Sequence, residues 1–295
     1  MTPPGIRPRL RPLHLAAAAL CSLVFLTGCG TGTGPNTGYA DRQDTTVIGT
    51  DSSAESRVVA ALYGELLTDA GVEVKTATTR YASPADTAHA VVEGEIGLAP
   101  AYETTMLRAL PGGQTMPGNM KATLSMALPP GIVALAPAKA QHGLVVAVTR
   151  ATAREHGLSS LADLAEADGR LTLGGSASGD PDAPSAAELK KAYGVTLAPA
   201  GTSKTADVRV LRSTDPALTR DGLVVLTDPK SVVPPEHVFP LAGAPYASVS
   251  ARKALARINS RLTTEELAEL AASVEAGASP DETARDWLRA EDLLG

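Results

Sequence analysis

Two polar turns, each directly after an apolar segment, are the residues of this chain best suited to bind a small ligand. The first follows the strand-like segment 45–49 and consists of Thr50, Asp51, Ser52 and Ser53. A segment with helical spacing of apolar residues comes next, and free N–H groups at a helix N-terminus favour carboxylates and other anions. Helix capping by Ser52 or Ser53 explains the same residues, and the two roles are compatible.

The second turn, Gly-Gly-Ser-Ala-Ser-Gly at residues 174–179, also follows a strand-like segment, residues 171–173. The carboxyl ends of strands are where α/β sheets bind ligands, so this turn would offer backbone donors from a second domain. As a loop alone it does not specify a ligand.

Sequence motifs for catalysis are missing. The chain has no Gly-x-Ser-x-Gly, no His-Glu-x-x-His and no phosphate-loop lysine. The histidines that follow the N-terminal segment show no ligand spacing with one another or with cysteine. We therefore expect a protein that is not an enzyme and that has no resident metal or other cofactor.

The N-terminus has the organisation of a bacterial lipoprotein signal peptide. Three arginines precede an apolar run over residues 13–25, which is shorter than the roughly 20 residues that span a bilayer. Leu-Thr-Gly at residues 26–28 then precedes Cys29. We expect residues 1–28 to be removed, Cys29 to carry lipid on the outer side of the cell membrane, and residues 29–44 to form a flexible tether. The alternative is an ordinary signal peptide in which Cys29 is incidental.

The charge of the remaining chain argues against a nucleic-acid partner. Residues 1–28 contain three arginines and no acid, so their removal leaves 267 residues and changes the formal charge from −6 to −9. A basic footprint is therefore absent. The length suits two domains of ordinary size or one large one, and 44% hydrophobic residues are enough for a substantial core. Aromatic residues make up only 3% of the chain, which limits sites that depend on ring stacking.

The spacing of apolar residues predicts alternating strands and helices, the pattern of an α/β fold. Hydroxyl residues three positions before a glutamate, at 263–266 and 279–282, predict two helix capping boxes near the C-terminus. Strands are predicted at residues 45–49, 72–76, 96–99, 132–135, 144–148, 171–173 and 223–226, and helices at residues 58–67, 83–92, 159–166, 185–191 and through most of the last 50 residues.

Four stretches resemble the osmoprotectant-type solute-binding proteins of ABC importers, which bind glycine betaine, carnitine or choline. They are residues 47–55 (VIGTDSSAE), 97–105 (GLAPAYETT), 144–153 followed by 158–164, and 262–288, of which the last is the most specific. Together the resemblance covers nearly all of residues 45–292.

The resemblance implies an α/β, two-lobed periplasmic-binding-protein fold of type II, with two crossover strands and a helical C-terminus. It implies a first lobe at residues 45–139 and 240–295, a second lobe at residues 143–235, and crossovers at residues 137–143 and 234–240. The lobes would close over a small ligand by a hinge, and the loaded protein would then meet a membrane permease and its ATPase subunit. We expect the binding protein itself to be a monomer.

The resemblance also implies a ligand site between the lobes. Tyr102 matches a family tyrosine and would supply an aromatic wall. The other residues expected to contact the ligand are Thr50, Asp51, Ser52, Ser53 and Thr105 in the first lobe and Ser176, Ser178, Thr214 and Asp215 in the second.

The sequence departs from the family pattern where the ligand would bind. A family acid is Gly97 here, a family glutamate is Ala101, and the crossover Asn-Asn-Thr-Tyr reads Ala-Gln-His-Gly at residues 140–143. Because a second expected tyrosine is missing, Tyr81 and Tyr246 are the candidates to complete an aromatic cage, although either could equally be packed at the surface. The sparse aromatic residues also motivate a second hypothesis, a non-transporting sensor or interaction lipoprotein on the same fold.

Overall fold

The computed structural model describes residues 45–110, 120–167 and 171–294. The signal peptide, Cys29 and the tether, which were predicted for residues 1–44, lie outside these ranges. No helix within them is long and apolar enough to cross a membrane.

The described strands form two five-stranded sheets. The first has the order β2-β1-β3-β10-β4 and the second the order β7-β6-β8-β5-β9. In chain order, the strands are β1 Thr46–Asp51, β2 Val74–Tyr81, β3 Leu98–Tyr102, β4 Ile132–Ala134, β5 Leu144–Thr149, β6 Thr172–Gly174, β7 Ala198–Gly201, β8 Val208–Arg212, β9 Leu223–Val225 and β10 Val238–Gly243.

Helices connect most of these strands and form the C-terminal part of the chain. Two short 3₁₀ helices, Asp163–Ala165 and Ala244–Tyr246, add to them. The described α-helices are α1 Ala54–Asp69, α2 Pro84–Val92, α3 Glu103–Ala109, α4 Met120–Ala127, α5 Arg150–His156, α6 Ala186–Tyr193, α7 Ala217–Arg220, α8 Val249–Asn259, α9 Thr264–Glu275 and α10 Pro280–Ala290.

The first sheet is mixed and has a core on each face. Strand β1 runs parallel to β2 and β3, whereas β10 runs antiparallel to β3 and β4. Ile48 packs in the core formed with α1, α8, α9 and α10, and its neighbour Val47 packs against the core formed with α2 and α3. Successive residues of β1 thus face opposite sides of the sheet, as strand geometry requires. We call the part of the protein built on this sheet the first lobe.

The second sheet has its own core and forms the second lobe. Strand β5 is antiparallel to β8 and β9, and β6 is parallel to β7 and β8. Its largest core cluster contains Val146, Leu189, Val208 and Val210, all buried. With a separate core in each lobe, the fold is the two-lobed α/β arrangement of type II that the resemblance implied.

The two segments that join the lobes lie side by side. Gln141 and His237 form an antiparallel β-bridge. On either side of this bridge, the amide of Ala138 donates to the carbonyl of Val238 and the amide of His142 donates to the carbonyl of Glu236, both at 2.9 Å. Any rotation of one lobe against the other must therefore bend both segments together.

Several helix ends form as the sequence predicts. Ser53 caps α1 by accepting from the Ser56 amide at 3.1 Å, and Ser83 caps α2 with Pro84 in its first turn. Both halves of the capping box between Thr263 and Glu266 are present. At the second predicted box only one half is seen, in which the Ser279 hydroxyl accepts from the Glu282 amide at 3.4 Å.

The prediction of a helix at residues 159–166 is wrong. Turns and the 3₁₀ helix occupy this segment because the carboxylate of Asp163 accepts from the amides of both Ser159 and Ser160, at 2.8 Å each. Side-chain oxygens of Asp and Ser compete with helical hydrogen bonds in this way. The apolar spacing of the segment was compatible with a helix, but these local bonds decide its conformation.

Candidate ligand site between the lobes

The ends of two parallel strands place three functional side chains at one edge of the first sheet. Strands β1 and β3 run parallel and end at Asp51 and Tyr102, and α1 begins three residues after β1. Glu55 lies in the first turn of α1. Asp51, Glu55 and Tyr102 are buried, with 4%, 5% and 2% of their surfaces exposed. This edge is where ligands bind in open α/β sheets.

The carboxylate of Glu55 connects three parts of the molecule. Its Oε2 lies 2.7 Å from Nδ1 of His142, which is in the first crossover, and accepts from the hydroxyl of Thr214 in the second lobe at 2.9 Å. Its Oε1 is buried and has no hydrogen-bond partner among the described residues. Thr214 therefore contacts the first lobe directly, and one oxygen of Glu55 stays available.

Two rings lie beside this carboxylate. The rings of Tyr102 and His142 have their centroids 4.7 Å apart and are tilted by 39°. Burial, followed by the negative charges of Glu55 and Asp51, raises the pKa of Tyr102, so its hydroxyl is neutral. Burial alone would lower the pKa of His142, but the charge of Glu55 and the hydrogen bond to it outweigh that effect, and the net direction is upward. Glu55 thus favours the imidazolium form.

Glu236, in the second crossover, is a second buried carboxylate that joins separate elements. Its Oε1 accepts from the amide and the hydroxyl of Thr105, at 2.9 and 2.6 Å, and its Oε2 lies 3.5 Å from the guanidinium of Arg212. Arg212 is also ion-paired with Asp180 and donates to the carbonyl of His142 at 3.3 Å. Arg212 thereby connects the end of β8 to both crossovers.

Negative charge dominates the buried part of this region. In the part of the chain that the structure describes, the buried charged side chains are all acidic: Asp51, Glu55, Glu103 and Glu236. Burial raises the pKa of Glu103, which a hydrogen bond from the amide of His237 partly offsets. The nearby basic groups, His142, Arg212 and His237, are only partly buried.

The four residues of the first polar turn have different environments. Thr50 and Asp51 are buried, whereas Ser52 and Ser53 are exposed. Asp51 accepts from the Ser53 amide at 2.6 Å, and Ser53 caps α1. The turn therefore holds the N-terminus of α1, and with it Glu55, in place.

In the second turn and the loop after β8, the predicted hydroxyls bond within the second lobe. Ser176 donates to Asp215 at 2.8 Å, and Asp215 in turn accepts from the Ala217 amide, also at 2.8 Å. The hydroxyl of Ser178 lies within hydrogen-bond distance of the carbonyls of Gly175 and Gly201, at 2.9 and 2.7 Å. Of the predicted second-lobe residues, Thr214 is the one whose contact reaches Glu55.

The two tyrosines proposed to complete a cage pack elsewhere in the first lobe. Tyr81 donates to Glu95 at 3.3 Å and packs against the core on the α2 side of the sheet, opposite to the core that contains Tyr102. The ring of Tyr246 lies over Gly97, where a Cβ on residue 97 would approach ring atoms to 2.9 Å. Of the three tyrosines, Tyr102 is the one that borders Glu55.

Four residues of the site were not among the predicted ligand-site residues: Glu55, His142, Arg212 and Glu236. Glu55 had a signal, since it is the acid that ends the resembling stretch 47–55. Glu236 and Arg212 gave no signal in the sequence. Glu236 belongs to the site through its contact with Thr105, which is 131 positions away, and Arg212 through its contact with Glu236. His142 did have a signal, since it lies in the crossover that departs from the family pattern. Within the described ranges, no group of three or more His, Cys, Asp or Glu side chains has an arrangement that could hold a metal ion.

Two α/β lobes, joined by paired crossovers beside a buried polar cluster, define the class of type II periplasmic binding proteins. Residues 44–290 match the family OpuAC, described as the substrate binding domain of ABC-type glycine betaine transport systems. The chain belongs to this family, whose members are substrate-binding proteins of ABC transporters.

Solved structures show the same fold at low sequence identity. A glycine betaine/carnitine/choline ABC transporter protein is 19% identical, with a TM-score of 0.72 over 85% of this chain and 98% of the other. Apo YehZ from Escherichia coli is 18% identical, with a TM-score of 0.67 over 85% and 99%. Lactococcal OpuAC in its closed form with glycine betaine is 15% identical, with a TM-score of 0.51 over 84% and 97%. Comparison with curated protein sequences gives no match.

Proposed function

We propose that this protein is the extracytoplasmic solute-binding component of an ABC importer and that it captures a small polar compound of the glycine betaine, choline or carnitine class. The observation that carries this proposal is the Glu55 carboxylate, which is contacted from the second lobe and a crossover beside the ring of Tyr102. A ligand bound there would contact both lobes and stabilise the closed arrangement. The loaded protein would then deliver the ligand to its permease and ATPase. Its role is binding, not catalysis.

The chemistry of the site suits an ammonium ligand. The face of Tyr102 can contribute about 0.5–2 kcal/mol to binding a quaternary ammonium group, and the surrounding buried carboxylates favour positive charge. Family membership and the fold of the structural neighbours support the same ligand class.

Titration calorimetry tests the ligand class. Protein stripped of ligand by unfolding and refolding is titrated with glycine betaine, choline, carnitine and proline betaine. At least one should bind, and Tyr102→Ala should weaken that binding about 10-fold or more because the aromatic face is lost. Tyr81→Ala is the matched control, since the Tyr81 ring packs on the opposite face of the sheet. The affinity of this variant for the ligand should stay within about 2-fold of the wild-type value. No heat with any of the four compounds would contradict the proposed class.

Lipid anchoring at Cys29 is the second part of the proposal. It is supported by the arginines, the apolar run and the Leu-Thr-Gly-Cys sequence at residues 26–29. Cys29→Ser should release the protein from the membrane fraction and abolish incorporation of labelled palmitate. Cys21→Ser, inside the apolar run, should change neither result. A membrane-bound, labelled Cys29→Ser protein would exclude this anchor.

A role as a non-transporting sensor or interaction lipoprotein is the second candidate. The packing of Tyr81 and Tyr246 within the first lobe favours it, because it leaves Tyr102 as the aromatic residue beside Glu55. Uptake of labelled ligand in a strain that lacks the protein distinguishes the two roles. Transport predicts loss of high-affinity uptake, and sensing predicts unchanged uptake. Size-exclusion chromatography with light scattering should give the mass of a monomer.

A further inference from the structure

One buried acceptor of the site has no donor within the described part of the protein. The two donors that contact Glu55 at ordinary hydrogen-bond distance, His142 and Thr214, lie at Oε2, and Oε1 has none within the described residues. The hydroxyl of Tyr102 is close enough to this carboxylate for a hydrogen bond between the two side chains to contribute to its raised pKa, but no donor reaches Oε1 with ordinary hydrogen-bond distance and angle. A buried charged acceptor without a donor is unfavourable, so the site is incomplete without a group that brings an O–H or N–H.

The charge around this acceptor adds a second requirement. Asp51, Glu55, Glu103 and Glu236 are buried acids, and the basic side chains near them are Arg212, His142 and His237, the last beside Glu103. Arg212 already faces two carboxylates, Asp180 and Glu236, and His142 faces Glu55. A ligand carboxylate placed here would add negative charge to a buried region that already has an excess of it.

These requirements separate compounds that share a trimethylammonium group. Glycine betaine has a carboxylate and no hydrogen-bond donor. Choline has a hydroxyl donor and no carboxylate, so it meets both requirements.

We propose that Glu55 is the specificity-determining residue of the site and that it selects organic monocations carrying an O–H or N–H donor, such as choline, against zwitterionic betaines. The ligand hydroxyl donates to Glu55 Oε1, and the ammonium group lies among the buried carboxylates beside Tyr102. This inference rests on the proposed function, since it concerns the same interlobe site.

Three ligands with the same cationic group test this proposal on the unmodified protein. Choline has charge and donor, (2-methoxyethyl)trimethylammonium has the charge without the donor, and glycine betaine has neither net charge nor donor. In titration calorimetry, choline should bind about 10- to 100-fold more tightly than each of the other two, as expected for a hydrogen bond to a charged group. Glycine betaine binding as tightly as choline would overturn the inference and leave the proposed function intact. Binding of none of the three would overturn both.

Three variants test whether the selectivity belongs to Glu55. Glu55→Gln should reduce the preference for choline over glycine betaine about 10-fold or more, whereas Glu65→Gln, on the same helix and paired with Arg285, should keep it. Tyr102→Phe preserves the ring and should also keep the preference. Loss of the preference in Tyr102→Phe but not in Glu55→Gln would assign it to the tyrosine hydroxyl and overturn the proposal. Thermal melts establish that each variant is folded.

Discussion

At the scale of single residues, Glu55 owes its role to its position. It lies in the first turn of α1, where the positive end of the helix dipole stabilises a carboxylate. The turn before it, fixed by Asp51 and Ser53, determines where this carboxylate points along the edge of the sheet. A change in the turn should therefore affect binding even where the turn itself does not contact the ligand.

The ion pair between His142 and Glu55 predicts a dependence of stability on pH. Because the pKa of His142 is raised in the folded protein, the pair stabilises the fold fully below the unfolded pKa of about 6.5, and this contribution is lost as pH rises through the folded value. The free energy of unfolding from urea titrations, compared between wild type and His142→Gln, should therefore differ more at pH 6 than at pH 9.

Glu55, Arg212 and Glu236 are the charged groups that act on His142. Glu55→Gln should remove most of the pH dependence, since Glu55 supplies the charge and the hydrogen bond that raise the pKa. If the difference in the free energy of unfolding between wild type and His142→Gln grew as the pH rose, the ion pair between His142 and Glu55 would be contradicted.

Substitutions at Gly97 and Tyr246 should have coupled effects on the free energy of unfolding. A Cβ at Gly97 would lie 2.9 Å from the Tyr246 ring, so Gly97→Ala should destabilise the protein by about 1–3 kcal/mol. In a Tyr246→Ala background the cost should fall, which a double-mutant cycle of unfolding free energies measures. If the two substitutions changed the free energy of unfolding additively, the Tyr246 ring would not be what excludes a side chain at residue 97.

Residue-level prediction from the sequence succeeded where a single segment carries the signal. Capping by Ser53, Ser83 and Thr263 follows from local spacing, and the structure confirms it. The contacts of Glu236 with Thr105 could not be predicted, because they depend on how distant crossover and helix residues meet.

At the scale of secondary-structure elements, the turn after β6 depends on Gly175. Its φ is +125°, and a Cβ there would lie 2.3 Å from the carbonyl oxygen of Val210. Gly175→Ala should therefore cost about 3 kcal/mol or more, from backbone strain and from the clash with β8. Gly179→Ala in the same turn is the control, since its Cβ would meet no atom within 4 Å, and it should change stability by less than about 0.5 kcal/mol. Equal unfolding free energies for the two variants would contradict this account.

Element boundaries followed the apolar pattern only roughly. The second strand was predicted at 72–76 and is observed at Val74–Tyr81, a segment whose side chains are mostly exposed and polar. Its pairing with β1 extends it beyond what its hydrophobicity indicates, because backbone hydrogen bonds to one neighbour hold an edge strand even where most of its side chains are exposed.

At the scale of the whole molecule, side-chain contacts cross directly between the lobes; among the described residues they include Thr214 with Glu55 and Arg108 with Asp182. Arg108→Glu should place like charges across this interface and shift the ligand-free protein toward an open arrangement. Small-angle X-ray scattering should then give a larger radius of gyration than for wild type, and ligand should reduce it. Arg285→Glu, which removes an ion pair within the first lobe, is the control and should leave the radius unchanged. An unchanged radius for Arg108→Glu would show that this ion pair does not hold the lobes together.

The two-lobed architecture followed from the family resemblance, not from the apolar pattern. Alternating strands and helices predicted only an α/β fold. They do not tell which strands pair, since β10 lies between β3 and β4 although more than 100 residues separate it from either.

The position of β10 in the first sheet also determines the order in which the two lobes can fold. In a chain that emerges from its N-terminus, every strand of the second sheet is available once residue 225 is out. The first sheet still lacks the strand that joins β3 to β4 until residue 243 follows. The second lobe can therefore fold first, because its strands form one uninterrupted segment of the chain. The first lobe can be completed only afterwards, when the segment after the second lobe supplies β10.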